Sequence, residues 1–205
     1  MFQFKKLTLL PATFAAALCF LTVTLAEEAE PVRIRGTLIE MSADHMKIHA
    51  RDGNDIEVGL SKDAPIFGVA LTDLSAIKPD SYIGTAAAPQ SDGTLKALEV
   101  HVFPSSMRGA GEGSRPWDLT PNSTMTNGAV GSILGTEGRT LTVKYKDGEK
   151  KVVVPADVPI VSLEPGDTSL LMTGAKVLVL AARGKDGSQT AVFIGVGKNG
   201  ITPPM

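Results

Sequence analysis

Cysteine is almost absent from this 205-residue chain, whose one thiol, Cys19, lies close to the amino terminus. Disulfide bracing and thiol catalysis in the body of the protein are thereby excluded, and stability has to come from packing. Aromatic residues are also few, with one Trp, two Tyr and seven Phe, and the formal net charge is −2. A groove for nucleic acid needs stacking rings on a basic surface, so that class of partner is excluded as well. Catalytic signatures are missing: there is no G-x-S-x-G, no H-E-x-x-H and no cysteine beside a histidine. The acids fall mainly in turns or on outer strand faces, where their pKa values stay ordinary. The chain reads as a non-enzyme with no cofactor.

One long apolar run is present, from Leu7 to Leu25, preceded by Lys5 and Lys6 and followed by the small-residue pattern Thr24-Leu25-Ala26. Residues 1–26 read as a signal peptide cleaved after Ala26, since Glu27, Glu28 and Glu30 follow at once and no basic stop-transfer cluster does. Leu18 occupies the place where a lipobox before Cys19 would need a small residue. The expectation is a periplasmic or secreted protein with no membrane span after cleavage. Loss of Lys5 and Lys6 takes the formal charge from −2 to −4, which argues further against a polyanion partner.

Glycine is plentiful, with 21 residues, and Val, Ile and Thr recur in alternating runs, a mix suited to short strands and tight turns. The runs occur twice. Gly36-Thr37-Leu38-Ile39 lines up with Gly131-Ser132-Ile133-Leu134, Asp52-Gly53 with Asp147-Gly148, and Asp63-Ala64-Pro65-Ile66 with Asp157-Val158-Pro159-Ile160. Further on, Asp73 matches Asp167, Asp92-Gly93 matches Asp186-Gly187, and Leu98, Val100 and Val102 match Val192, Ile194 and Val196. Turn signals and apolar alternation that recur together at a spacing of roughly 95 residues are the mark of a tandem duplication.

In the first copy Val32, Ile34 and Leu38, then Met46, Ile48 and Ala50, then Ile56, Val58 and Leu60 alternate with polar residues, which predicts three half-buried strands. A three-residue Arg51-Asp52-Gly53 loop would set Ile48 opposite Ile56 and Met46 opposite Val58, with His49 facing Asp55 and Lys47 facing Glu57 outside. In the second copy a two-residue Asp147-Gly148 loop would pair Val143 with Val152, Lys146 with Glu149, and, less comfortably, Lys144 with Lys151. Asp73 and Asp167 are placed to cap single helical turns. Fourth strands are expected at 82–87 and 176–181, and fifth strands at 98–103 and 191–196. Five short strands around one small core describe a closed or partly open β-barrel of the OB type, with an open sandwich as the alternative. The predicted fold is therefore all-β: two tandem five-stranded OB-like barrels, residues 32–103 and 128–198, joined by a Gly/Pro-rich linker or clasp at 104–127 and followed by a tail at 199–205.

The G-T-x-I opening, the D-G hairpin, the D-L or P-G-D segment before the fourth strand and the terminal A-x-x-V-x-V strand resemble an exported bacterial domain family of unknown function with OB-like folds. The G-E-G-S-R-P-W-D-L and S-T-M-T-N segments are similar to the linker of its tandem-domain members. The resemblance implies export and OB-like folds; the residues themselves read best as a non-catalytic binding or assembly module of the cell envelope, with an envelope protein or a small ligand as partner.

Two groups of residues stand out as candidate sites. Arg108, Glu112, Arg115, Trp117 and Asp118 gather the side chains most often found at binding hot spots. They read as a ligand or partner site, or as a lock in which Trp117 packs against both barrels and Arg115 pairs with Asp118 or Glu112. The alternative is a metal site from His45, His49 and His101, the last expected to point outward from the fifth strand. Four strand residues span roughly 13 Å, so His45 and His49 reach one ion only if the strand bends between them. Gly109-Ala110-Gly111-Glu112-Gly113 lacks the spacing and the following helix of a dinucleotide loop and reads as a tight turn.

Overall fold

The structure, a computed structural model, describes residues 31–134 and 139–204. The signal-peptide expectation for residues 1–26 lies outside the described residues. The described residues form thirteen strands, in order β1 (Val32–Met41), β2 (His45–Ala50), β3 (Asp55–Leu60), β4 (Ile66–Thr72), β5 (Tyr82–Pro89), β6 (Leu95–Val102), β7 (Gly113–Pro116), β8 (Thr124–Leu134), β9 (Thr140–Tyr145), β10 (Gly148–Val153), β11 (Ile160–Pro165), β12 (Lys176–Arg183) and β13 (Gln189–Gly197). Single 3₁₀ turns at Leu74–Ala76 and Thr168–Leu170 are capped by the carboxylates of Asp73 and Asp167, which accept from the amides of Ser75 and Ser169 at 2.7 and 2.8 Å. Among the described residues no helix is long and apolar enough to cross a membrane.

The β2–β3 hairpin has the expected register, with Ile48 opposite Ile56, Met46 opposite Val58, Lys47 opposite Glu57 and His49 opposite Asp55. The β9–β10 hairpin does not. Tyr145 pairs with Gly148 and Lys144 with Glu149, so the turn is Lys146-Asp147 and the like-charge contact between Lys144 and Lys151 never arises. The amide of Lys146 is engaged elsewhere, donating to the Glu112 carboxylate at 2.9 Å. Because the slip moves the pairing by an even number of residues, the core face is preserved.

Strands β4 and β11 were not anticipated. Ile66, Phe67, Gly68 and Val69 form a continuous buried run rather than an alternating one, as do Ile160 and Val161 with Leu163, because both faces of each strand are covered. The sequence alignment of the repeats also needs correction at its start. Gly128, not Gly131, occupies the place of Gly36: Gly36 pairs with Val177 of β12, and Gly128 pairs with Ile83 of β5, the counterpart of Val177. Each opening glycine lies where a Cβ would collide with a neighbouring carbonyl, that of His49 for Gly36 and that of Lys144 for Gly128.

All thirteen strands belong to one sheet. Pairing within each copy is limited to β1–β2–β3 and β5–β6 in the first, and to β7–β8–β9–β10 and β12–β13 in the second. Every other ladder joins one copy to the other: β1 to β12, β3 to β13, β4 to β13 and β11, β5 to β8, and β6 to β10 and β11. The circuit β1-β2-β3-β13-β12 returns to β1, and the circuit β8-β9-β10-β6-β5 returns to β8.

The hydrophobic clusters follow these circuits. One combines Ile34, Leu38, Met46, Ile48 and Val58 with Val177, Val179, Ile194 and Val196. The other combines Ile83, Val100 and Leu95 with Val130, Leu141, Val143 and Val152. The expected division into units at 32–103 and 128–198 is therefore not how the core is built. Three strands of one copy share a core with the last two of the other, since a duplicated strand offers the same apolar stripe to either partner. Phe67, Val69, Met125, Val161, Leu163 and Leu178 are buried but belong to neither cluster, and Met125, Leu163 and Leu178 line a separate apolar pocket.

Candidate functional site

Residues 104–123 run as a strap over an apolar pocket in the sheet. Strand β7 pairs with the first half of β8, where Gly113 meets Asn127 and Pro116 meets Thr124. The loop beyond it is closed by Ser123, whose hydroxyl donates to the carbonyls of Thr120 and Trp117 at 2.8 and 3.1 Å. The carbonyl of Ala110 accepts from Tyr82 Oη and Asn127 Nδ2, both at 3.2 Å.

The five clasp residues of the sequence reading all lie on this strap, and Arg108, Glu112, Trp117 and Asp118 find partners distant in sequence. Asp118 receives both Arg35 guanidinium nitrogens, at 2.9 and 2.8 Å, a bidentate pair that ties the strap to β1. That pair holds the Asp118 carboxyl below its usual range. Arg33, also on β1, lies 3.9 Å over the Trp117 ring, and Arg115 lies 5.9 Å from it, so the indole sits among guanidinium groups. Arg115 donates to the Gly111 carbonyl at 2.8 Å, Arg108 binds Asp80 at 2.6 Å, and Glu112 holds the Lys146 amide. The strap is thus fixed to β1 of the first circuit and to the β9–β10 turn of the second. Arg33 and Arg35 were missed by sequence reasoning. On an alternating strand they look like any solvent-facing pair, and only the crossing of the strap distinguishes them.

The histidines are not brought together. His45 and His49 lie on β2, half-buried and exposed, where His45 contacts Ser42 and Asp44 at 2.7 and 2.9 Å and His49 meets Asp55 at 2.8 Å. His101 lies on β6 in the other circuit, and it does not point into solvent: it is 1% exposed. The face of β6 opposite its core is covered by the strap and the carboxy-terminal segment rather than by water. Among the described residues no group of three or more His, Cys, Asp or Glu is arranged to hold a metal ion.

The buried face of β6 carries Glu99 as well, 2% exposed, with its Oε1 3.4 Å from His101 Nε2. Burial pushes the Glu99 carboxyl up to about 8, against the pull of Arg35, and pushes the His101 imidazole down to about 4. Both are neutral at neutral pH. His101 also hydrogen-bonds the Pro204 carbonyl. As Nε2 has no partner among the described residues, Nδ1 is the donor and Nε2 an acceptor.

Between strap and sheet lies a pocket of about 190 Å³. Its walls are Phe103, Met125, Leu163, Leu178, Leu180 and Phe193 from the sheet side, with Met107, Ala110 and Trp117 from the strap. His101, Asn127 and Arg115 also border it. Three buried atoms of these residues, His101 Nε2, Asn127 Oδ1 and Trp117 Nε1, have no hydrogen-bond partner among the described residues. The two copies contribute unequally. The counterparts of His101 and Phe103 in the second copy are Gly195 and Gly197, and the tail crosses at Gly197, where a Cβ would collide with the Ile201 carbonyl.

These features define an all-β protein of two interleaved repeats with an apolar pocket under a strap. Comparison of the chain with protein-family models, with curated proteins and with solved structures found no match.

Proposed function

We propose that the chain is an exported, non-catalytic binding module of the bacterial cell envelope, built as two OB-like barrels that exchange strands, with the strap-covered pocket as its site. Each five-membered circuit, with a parallel closing pair and a short capped turn before the fourth strand, supports the barrel reading. The resemblance to exported bacterial proteins with OB-like domains and the apolar run ahead of Ala26 support the envelope reading. One observation carries the binding role: a concave apolar pocket, bordered by the only tryptophan and by buried polar atoms without partners, at the junction of the two repeats.

Native mass spectrometry of protein purified from its own cells tests this role, with wild type beside Ala110→Phe, a strap substitution that fills the pocket. A small molecule carried by the wild type and absent from the variant is expected. A wild type that stays bare even after exposure to a small-molecule extract of the envelope refutes it. Amino-terminal sequencing of the same protein should begin at Glu27.

A further inference from the structure

The pocket's size and lining allow its ligand class to be narrowed, given the binding role proposed above. An engineered apolar cavity of about 150 Å³ lined by Leu, Ile and Phe stays dry and admits benzene. Here about 190 Å³, open on one side, is lined mainly by three leucines, two phenylalanines and two methionines. Methionine and leucine walls adapt to an irregular ring without fixed hydrogen-bond geometry.

Charge is poorly served at this place. Glu99 and His101 lie beneath the strap and are both neutral at neutral pH. The unpartnered polar atoms at the pocket's border, the Asn127 Oδ1 acceptor and the Trp117 Nε1 donor, are one of each kind and neutral, while His101 Nε2 faces the Glu99 carboxyl at 3.4 Å, so none of them supplies a charge to pair with an ion. Arg115, at the border, already donates to the Gly111 carbonyl and shares the Trp117 ring with Arg33, which disfavours a cation. Burial of an unpaired ligand charge against this lining carries a large desolvation cost.

We infer that the pocket under the strap takes a neutral, ring-sized apolar ligand, a monocyclic aromatic or alicyclic group of about six to ten heavy atoms, packed between Trp117 of the strap and Phe193 of β13. Trp117 is the only tryptophan, so its emission reads this site alone.

The test is titration of the mature protein with four single-ring probes of similar size, toluene, benzyl alcohol, benzoate and benzylamine, followed by tryptophan emission. Toluene and benzyl alcohol should give saturable changes, and benzoate and benzylamine should bind at least about tenfold more weakly. Ala110→Phe should abolish the toluene response with an unchanged melting temperature. Should that variant misfold, Leu180→Phe fills the pocket from the sheet side and should give the same loss. Benzoate or benzylamine binding as tightly as toluene, with the response lost in Ala110→Phe, overturns the ligand class and leaves the binding role standing. A toluene response undiminished in both filled variants overturns the site. Absence of any response to all four probes overturns the ligand class and weakens the binding role with it.

Discussion

If each circuit takes its strands from both repeats, neither repeat should fold alone. Cutting the strap between Thr120 and Pro121, at an exposed turn, would give fragments 31–120 and 121–204 with every strand intact. The first would retain β1–β3 but lose β12 and β13, and with them Leu171, Val177, Val179, Ile194 and Val196 from its apolar cluster. At roughly 1.5–3 kcal/mol for each buried aliphatic side chain, this is on the order of 10 kcal/mol. Whole-domain stability is typically about 5–15 kcal/mol, so the fragment has nothing left to hold it. It would also expose the β1 edge that pairs with β12 and the β4 edge that pairs with β11. Circular dichroism and amide proton spectra should show each fragment unfolded when separate. An equimolar mixture should recover cooperative melting and the Trp117 emission of the intact chain. An isolated 31–120 fragment that melts cooperatively would refute the interleaved core and restore two independent barrels.

Three further predictions are independent of that cut. Between about 4.5 and 6.5 the folded state keeps the Glu99 proton that the unfolded chain has lost and lacks the His101 proton that the unfolded chain still holds, so their effects on stability cancel. Above 6.5 only the extra Glu99 proton remains, and stability should fall by about 2 kcal/mol as pH rises to 8. Urea midpoints measured across this range should show the fall in wild type and lose it in Glu99→Gln. Asp118→Asn should cost up to about 1 kcal/mol, because the carboxylate facing Arg35 is itself half-exposed. The same variant should shift Trp117 emission to the red as the strap loosens, whereas an unchanged spectrum would deny the latch. Gly128→Ala should destabilise by about 1–3 kcal/mol in thermal melts, since the added methyl meets the Lys144 carbonyl of the paired strand. Gly131→Ala should cost less, because its methyl meets only the flexible Lys144 side chain.

The local grammar of the chain was legible without coordinates. Asp52-Gly53 and the alternation around it determined the β2–β3 register residue by residue, and Asp73 and Asp167 announced their capped turns, because such features depend on neighbours only a few positions away. The clasp residues were recognised as a group from composition, yet Asp118 found Arg35 rather than a neighbour on its own segment. His101 was assigned to a wet face because alternation reports which side of a strand a residue occupies, not what covers that side. Partner choice was decided only in three dimensions. Main-chain hydrogen bonds carry no label of origin, and two copies with matching apolar stripes can close either on themselves or on each other. The strands β4 and β11, pairing with each other at the centre of the sheet, join the two halves into one, and that junction creates the pocket that neither repeat contains by itself.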